Sequence, residues 1–161
     1  MKRRERQKGF SLIELLIVVA IILIIASIAI PNLLRARMSA NEASAVGAIK
    51  TINTAQISYI SAYPTAGYAA TLGALGGTAC SPPNPASACL IDTQLASGSK
   101  SGYTFTIAGV SGSPAATYEV VAAPTVPNKT GTRYFCSFAD GVIRSSISAI
   151  AACDYAIPPM Q

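Results

Sequence analysis

Lys8-Gly9-Phe10-Ser11-Leu12-Ile13-Glu14-Leu15-Leu16-Ile17-Val18-Val19-Ala20-Ile21-Ile22 opens the segment whose reading decides the fold. From Phe10 to Ile30 the chain is apolar at every position except Ser11, Glu14 and Ser27. As a helix this stretch spans roughly 32 Å, enough to cross the hydrocarbon core of a bilayer. Its Leu, Ile and Val residues contribute on the order of −5 kcal/mol to insertion, against about 3 kcal/mol for one carboxylate at the centre. Glu14 stands near one end of the segment, so insertion survives it. An ionisable side chain inside a membrane segment is by default a functional residue whose partner has to be found.

The formal net charge of +5 is concentrated at the start, because Lys2, Arg3, Arg4, Arg6 and Lys8 all precede the apolar run. Beyond Phe10, seven basic residues (Arg35, Arg37, Lys50, Lys100, Lys129, Arg133, Arg144) face six acidic ones (Glu14, Glu42, Asp92, Glu119, Asp140, Asp154). A surface able to neutralise many phosphates is therefore not visible, and nucleic acid is not expected as a direct strong ligand. The basic cluster reads as a topology signal that keeps the short N terminus in the cytoplasm and exports the rest. A rival reading is an ordinary secretory signal cleaved after the small-x-small triplet Ser27-Ile28-Ala29, which predicts a soluble product starting at Ile30. That reading leaves Gly9 and Glu14 without a role, and its apolar core is longer than such signals use.

The basic leader ending in Gly9, the aromatic Phe10, Glu14 four residues further on and Pro31 together resemble the processing signature of type IV pilins and type II secretion pseudopilins. The resemblance covers about residues 1–40. It implies that a membrane-embedded prepilin peptidase cuts between Gly9 and Phe10 and N-methylates the new Phe10 amine, this chain being substrate rather than enzyme. A glycine before the scissile bond suits a protease, since without a Cβ it allows close backbone approach. Glu14 is the residue expected to act in filament assembly. Pairing with the Phe10 ammonium of a neighbouring subunit would cancel two charges that are costly to leave alone in an apolar core. The bland alternative is that Glu14 snorkels to the cytoplasmic interface. Pro31 removes a backbone donor and predicts a helix bend there, or else a break between two helices at Pro31-Asn32.

After Pro31, Leu34, Met38, Ala45, Ile49, Ile52, Tyr59 and Tyr63 recur mostly at helical steps, with Arg35, Asn41, Glu42, Lys50 and Asn53 between them as the polar side. The expected organisation is a leader (1–9), a transmembrane or filament-core helix (10–31), an amphipathic helix (32–63), a connecting loop rich in Pro and Gly (64–102) and a sheet region (103–161). Tyr103 to Ile107, Tyr118 to Ala122, Arg133 to Phe138 and Val142 to Ile147 predict about four antiparallel strands, the last two flanking an Asp140-Gly141 turn. The fold class is α+β, a long N-terminal helix packed on a small antiparallel sheet, as the resemblance also implies. Cys80, Cys89, Cys136 and Cys153 are even in number and lack zinc or redox spacing, so two structural disulfides in an oxidising compartment are expected. Of the three possible pairings, Cys80–Cys89 with Cys136–Cys153 closes the shortest loops, and the second resembles the C-terminal disulfide region of pilins.

The chain contains no histidine, which removes Ser-His-Asp and Cys-His nucleophiles and imidazole metal ligands. No phosphate-cradling glycine motif occurs, and the acidic residues of the exported part are scattered. No catalytic residue, cofactor or metal is expected. The resemblance implies a structural subunit of a type IV pilus-like filament. Its partners would be further copies of the chain, prepilin peptidase, an assembly ATPase and an inner-membrane platform protein. It would lie in the bacterial inner membrane before assembly and in a periplasmic or surface filament after it. Two other readings stand beside this one: a type II secretion pseudopilin, whose major form binds calcium through clustered carboxylates, and a membrane-anchored exported binding domain that never polymerises.

Overall fold

The computed structural model describes residues 10–77 and 80–160; residues 1–9, expected to form a leader and including Gly9, lie outside the described residues. The chain forms two compact units, Met1–Ala36 and Arg37–Gln161. Helix α1 (Leu12–Ala62) contributes to both.

In the first unit α1 is apolar all round, and its Leu, Ile and Val side chains are exposed from Leu12 to Leu34. A helix of this length and hydropathy can cross a membrane, and its apolar window buries nothing inside the protein. The one internal hydroxyl, Ser27 Oγ, donates to Ile24 O at 2.8 Å and so needs no outside acceptor. Pro31 lies inside α1, which is continuous through it. Pro31-Asn32 therefore does not separate two helices.

In the second unit the remainder of α1 lies on a five-stranded sheet. The strands are β1 (Ser99–Lys100), β2 (Tyr103–Gly112), β3 (Ala115–Pro124), β4 (Tyr134–Phe138) and β5 (Arg144–Ser146), antiparallel and in sequential order. The architecture is α+β, with one more strand than the alternation suggested. β1 is only two residues long, and the tight turn joining it to β2 has both central residues, Ser101 and Gly102, at positive φ (50° and 73°), the geometry that two-residue hairpins favour. Alternation sends Tyr103, Phe105, Tyr118, Val120, Ala122 and Phe135 toward Ala45, Ile49, Ile52 and Tyr59 of α1, forming one core.

Residues 64–102 are more than a connection. They hold α2 (Leu72–Leu75) and α3 (Thr93–Ala96), started by Thr71 and Asp92 caps, and they send Leu72, Leu75, Ile91 and Leu95 into the core. Gln56 of α1 pins this segment by a two-way bond to Ala69: Nε2 donates to Ala69 O at 2.9 Å and Oε1 accepts Ala69 N at 2.8 Å. Cys80 pairs with Cys89 in the same segment.

On the other face of the sheet the C-terminal segment lies over β3, β4 and β5, while Thr104 and Thr106 of β2 stay exposed. Cys153 is bonded to Cys136 of β4, and its backbone N–H donates to Glu119 Oε2 of β3 at 2.9 Å. Arg144 is buried there, paired with Asp140 at 2.7 Å and lying 4.3 Å from the Phe138 ring centroid. Tyr155 meets Phe138 edge-on and the same guanidinium at 5.1 Å. Tail residues then close the β5 edge, where Met160 N donates to Ile143 O and Ser145 N to Pro158 O. A free strand edge is thereby removed.

Candidate functional site

The residues singled out at the N terminus occupy the first turn of α1. Phe10 is 82% exposed and, with Ser11, precedes the helix. Ser11 N donates to Glu14 Oε2 at 3.0 Å, and Leu15 N donates to Ser11 O, starting the helical ladder. Glu14 thus satisfies one of the backbone donors that every helix start leaves over, and its charge faces the positive end of the helix dipole. This is the returning half of a capping box, and the Ser11-x-x-Glu14 spacing that signals it stands in the sequence. The carboxylate is also exposed, so a second hydrogen-bonding partner can reach it. Gly9 falls outside the described residues, and Pro31 stands further along α1.

In the second unit the structure brings together residues that the sequence pattern had set apart. Glu42 and Asn53 were expected on the polar side of the amphipathic helix, yet both are buried. Glu42 takes four donors: Thr132 N (2.9 Å), Thr132 Oγ1 (2.9 Å) and Arg133 N (3.2 Å) at Oε1, and Arg133 Nε (2.8 Å) at Oε2. Burial pushes its pKa up, but these bonds outweigh it and hold the carboxyl below its ordinary value. Asn53 donates to Ser137 Oγ at 2.9 Å and accepts the Tyr118 hydroxyl at 3.1 Å. These two side chains fasten α1 to the sheet. In contrast, Leu34, expected on the inward face, is exposed, and Met38 only half-buried.

Of the head's other carboxylates, Asp92 lies beside Lys100, Asp140 beside Arg144 and Glu119 accepts Cys153 N, while Asp154 has no cation partner among the described residues. Among the described residues no three acidic or cysteine side chains converge on a point where a metal could sit.

Residues 4–30 match the family described as Prokaryotic N-terminal methylation motif, which defines the class of N terminus this chain carries. The chain is also similar to proteins of both expected kinds. The chain is 48% identical over 56 residues to the type IV major pilin protein PilA of Myxococcus xanthus, covering 35% of this chain and 26% of that protein. It is 69% identical over 35 residues to the type IV wide pilus major component PilA4 of Thermus thermophilus, covering 22% and 27%. It is 40% identical over 68 residues to the type II secretion system core protein G of Vibrio cholerae, covering 40% and 47%. The matched part therefore spans from about a quarter to less than half the length of these relatives. No solved structure matches the chain.

Proposed function

We propose that this chain is the precursor of a structural subunit of a type IV pilus-like filament. The observation that carries the reading is a methylation motif heading a helix that exposes apolar side chains from Leu12 to Leu34, with Glu14 as the one charged residue in that span. Such a surface has to be buried in lipid or against other helices. Before assembly the bilayer covers it; in a filament its neighbours do.

Prepilin peptidase hydrolyses the Gly9–Phe10 bond on the cytoplasmic side, and the amine released on Phe10 is methylated. Glu14 then pairs with the Phe10 ammonium of an adjacent subunit and sets its axial register, and Pro31 gives the helix its bend. An assembly ATPase and a platform protein supply the work, and the chain itself performs no reaction. The exported head faces an oxidising compartment, in keeping with its two disulfides.

The likeness to a type II secretion core protein supports a second reading, a pseudopilin whose short filament acts in secretion. The scatter of the head's carboxylates supports the pilus, because among the described residues no three of them converge where calcium could be held. Surface filaments shed by shearing support the pilus; a secretion defect on deletion supports the pseudopilus. The primary test is intact-mass spectrometry of the protein from membranes and sheared filaments, comparing wild type with Gly9→Ala. A chain starting at Phe10 with one added methyl is expected, with uncut precursor in the variant. A chain starting at Ile30 would overturn the reading.

A further inference from the structure

The head exposes large apolar side chains chiefly in two places. Around β5 and the C-terminal segment, Ile147 and Tyr155 are 83% and 80% exposed, and Val142 and Met160 are exposed too. A groove of about 410 Å³ between β5 and the C-terminal segment is lined in part by Ile147, Ala156 and Pro158, and Ala156 follows Tyr155 directly in the chain. The second place is the outward side of α1, where Ile57 is 62% exposed and Leu90 borders a groove of about 320 Å³ with Lys50, Thr54 and Ser58. The hydroxyls of Thr54 and Ser58 already donate to the carbonyls four residues back, at 3.0 and 3.1 Å. The groove can therefore lose its water without stranding those donors.

The charges at the two places are complementary. Three ion pairs occupy Asp92, Glu42 and Asp140, and Glu119 accepts from Cys153. Asp154, adjacent to Tyr155, is exposed and has no cation among the described residues. Lys50, in the α1 groove, is exposed and has no anion among them. The two cannot meet within one chain: α1 covers one face of the sheet and the segment carrying Asp154 lies on the other.

We propose that the Asp154-Tyr155-Ile147 patch of one copy of this chain docks into the Lys50 groove of a second copy, with Asp154 opposite Lys50. Because the two surfaces differ, the contact is heterologous and propagates from copy to copy instead of closing a dimer. Isolated surface charges contribute little to affinity, so Tyr155 and Ile147 supply the burial and the ion pair selects the register. This inference rests on the filament reading and adds to it a contact between heads.

The test places the photocrosslinker benzoylphenylalanine at position 155 of the full-length chain in cells that make it. An aromatic there keeps the packing on Phe138. Crosslinks are located by mass spectrometry, and filaments are sheared and weighed in parallel. Crosslinks to the 50–58 segment or Leu90 of a second copy are expected. Their yield should fall severalfold with Asp154→Lys and recover when Lys50→Asp is added. Asp154→Asn, which keeps the acceptor used by Ala156 N at 3.0 Å, should show the loss of charge alone. Crosslinks to another protein, or to Lys129 or Arg37 of a second copy, overturn the proposal, as do filaments that assemble without crosslinks at the groove. Absence of both filaments and crosslinks overturns the filament reading along with it.

Discussion

Glu42 of α1 and Arg133 at the entry of β4 meet at 2.8 Å across 91 positions of chain, and the carboxylate is buried while the arginine is half exposed. The asymmetry decides which partner matters more. Removing the arginine leaves Glu42 with three donors from Thr132 and the Arg133 backbone; removing the carboxylate strands those donors at the junction of helix and sheet. Glu42→Ala should cost about 3 kcal/mol, in the range found when a buried, hydrogen-bonded charge is deleted. Arg133→Ala should cost about 1 kcal/mol, as a partly exposed pair does. Thermal unfolding of full-length protein in detergent, followed by near-ultraviolet circular dichroism, checks the order.

The same carboxyl sets an acid limit. Its folded pKa is lowered, so its contribution is fully present above the unfolded value, about 4.3, and disappears as pH falls through the lower folded value. Stability of the wild-type head should decline on acidification across that interval. In Glu42→Gln the decline should be shallower, and equal slopes in wild type and variant would sink the account.

The course of α1, the alternation of β2 and β3 and the short-loop pairing of the cysteines could be read from local patterns, because a helix, a strand and a short loop each write their period or spacing into neighbouring residues. Glu42 and Asn53 could not, because nothing near them in sequence distinguishes a solvated polar residue from one whose partners, Thr132 and Ser137, arrive more than eighty positions later. Leu72, Leu75 and Leu95 were hidden in another way: set among Gly and Pro, they show no period, and their inward direction comes from packing against an already formed core. Ser11-x-x-Glu14 was legible as a capping box but was overshadowed by the stronger signal of a carboxylate in an apolar helix.

Asn53 works on a second junction, holding both the Tyr118 hydroxyl and Ser137 Oγ in a buried site. Asn53→Leu should lose about 2 kcal/mol because the buried Tyr118 hydroxyl is left unpaired and Ser137 Oγ keeps only a long bond to Phe138 O. Adding Tyr118→Phe removes that orphan, so the double variant should be less destabilised than the sum of the single ones. Strict additivity in urea midpoints would refute the coupling.

Tyr118 also sets an alkaline limit. Burial first, then the nearby Tyr68 and Asp140, push its phenol up to about 12. A folded pKa above the unfolded value of about 10 stabilises below that unfolded value and loses its contribution as pH rises through the folded one. Because burial also raises Tyr59 and Tyr103, ultraviolet titration of tyrosinate should show one late-ionising group fewer in Tyr118→Phe than in wild type, and the stability of the two proteins should converge between pH about 10 and 12.

Glu14 caps α1 in the single chain, and the proposed pairing with a neighbour's Phe10 ammonium can be tested separately from that cap. In the single chain its Oε2 accepts Ser11 N at 3.0 Å, a contact that glutamine can reproduce with its amide oxygen. Pairing with a neighbour's Phe10 ammonium requires the negative charge, which glutamine lacks. A lost helix cap costs about 1 kcal/mol, a small amount beside the insertion energy of the apolar run, so neither Glu14→Gln nor Glu14→Ala should keep the chain out of the membrane. If the cap were the whole role of Glu14, Glu14→Gln would assemble like wild type and only Glu14→Ala would fail. If the charge is what assembly uses, both variants should accumulate in the membrane and yield few sheared filaments, while Glu14→Asp, a shorter carboxylate, should restore part of the yield. Filament mass per unit of membrane-bound subunit, measured for all three variants, decides between cap and charge.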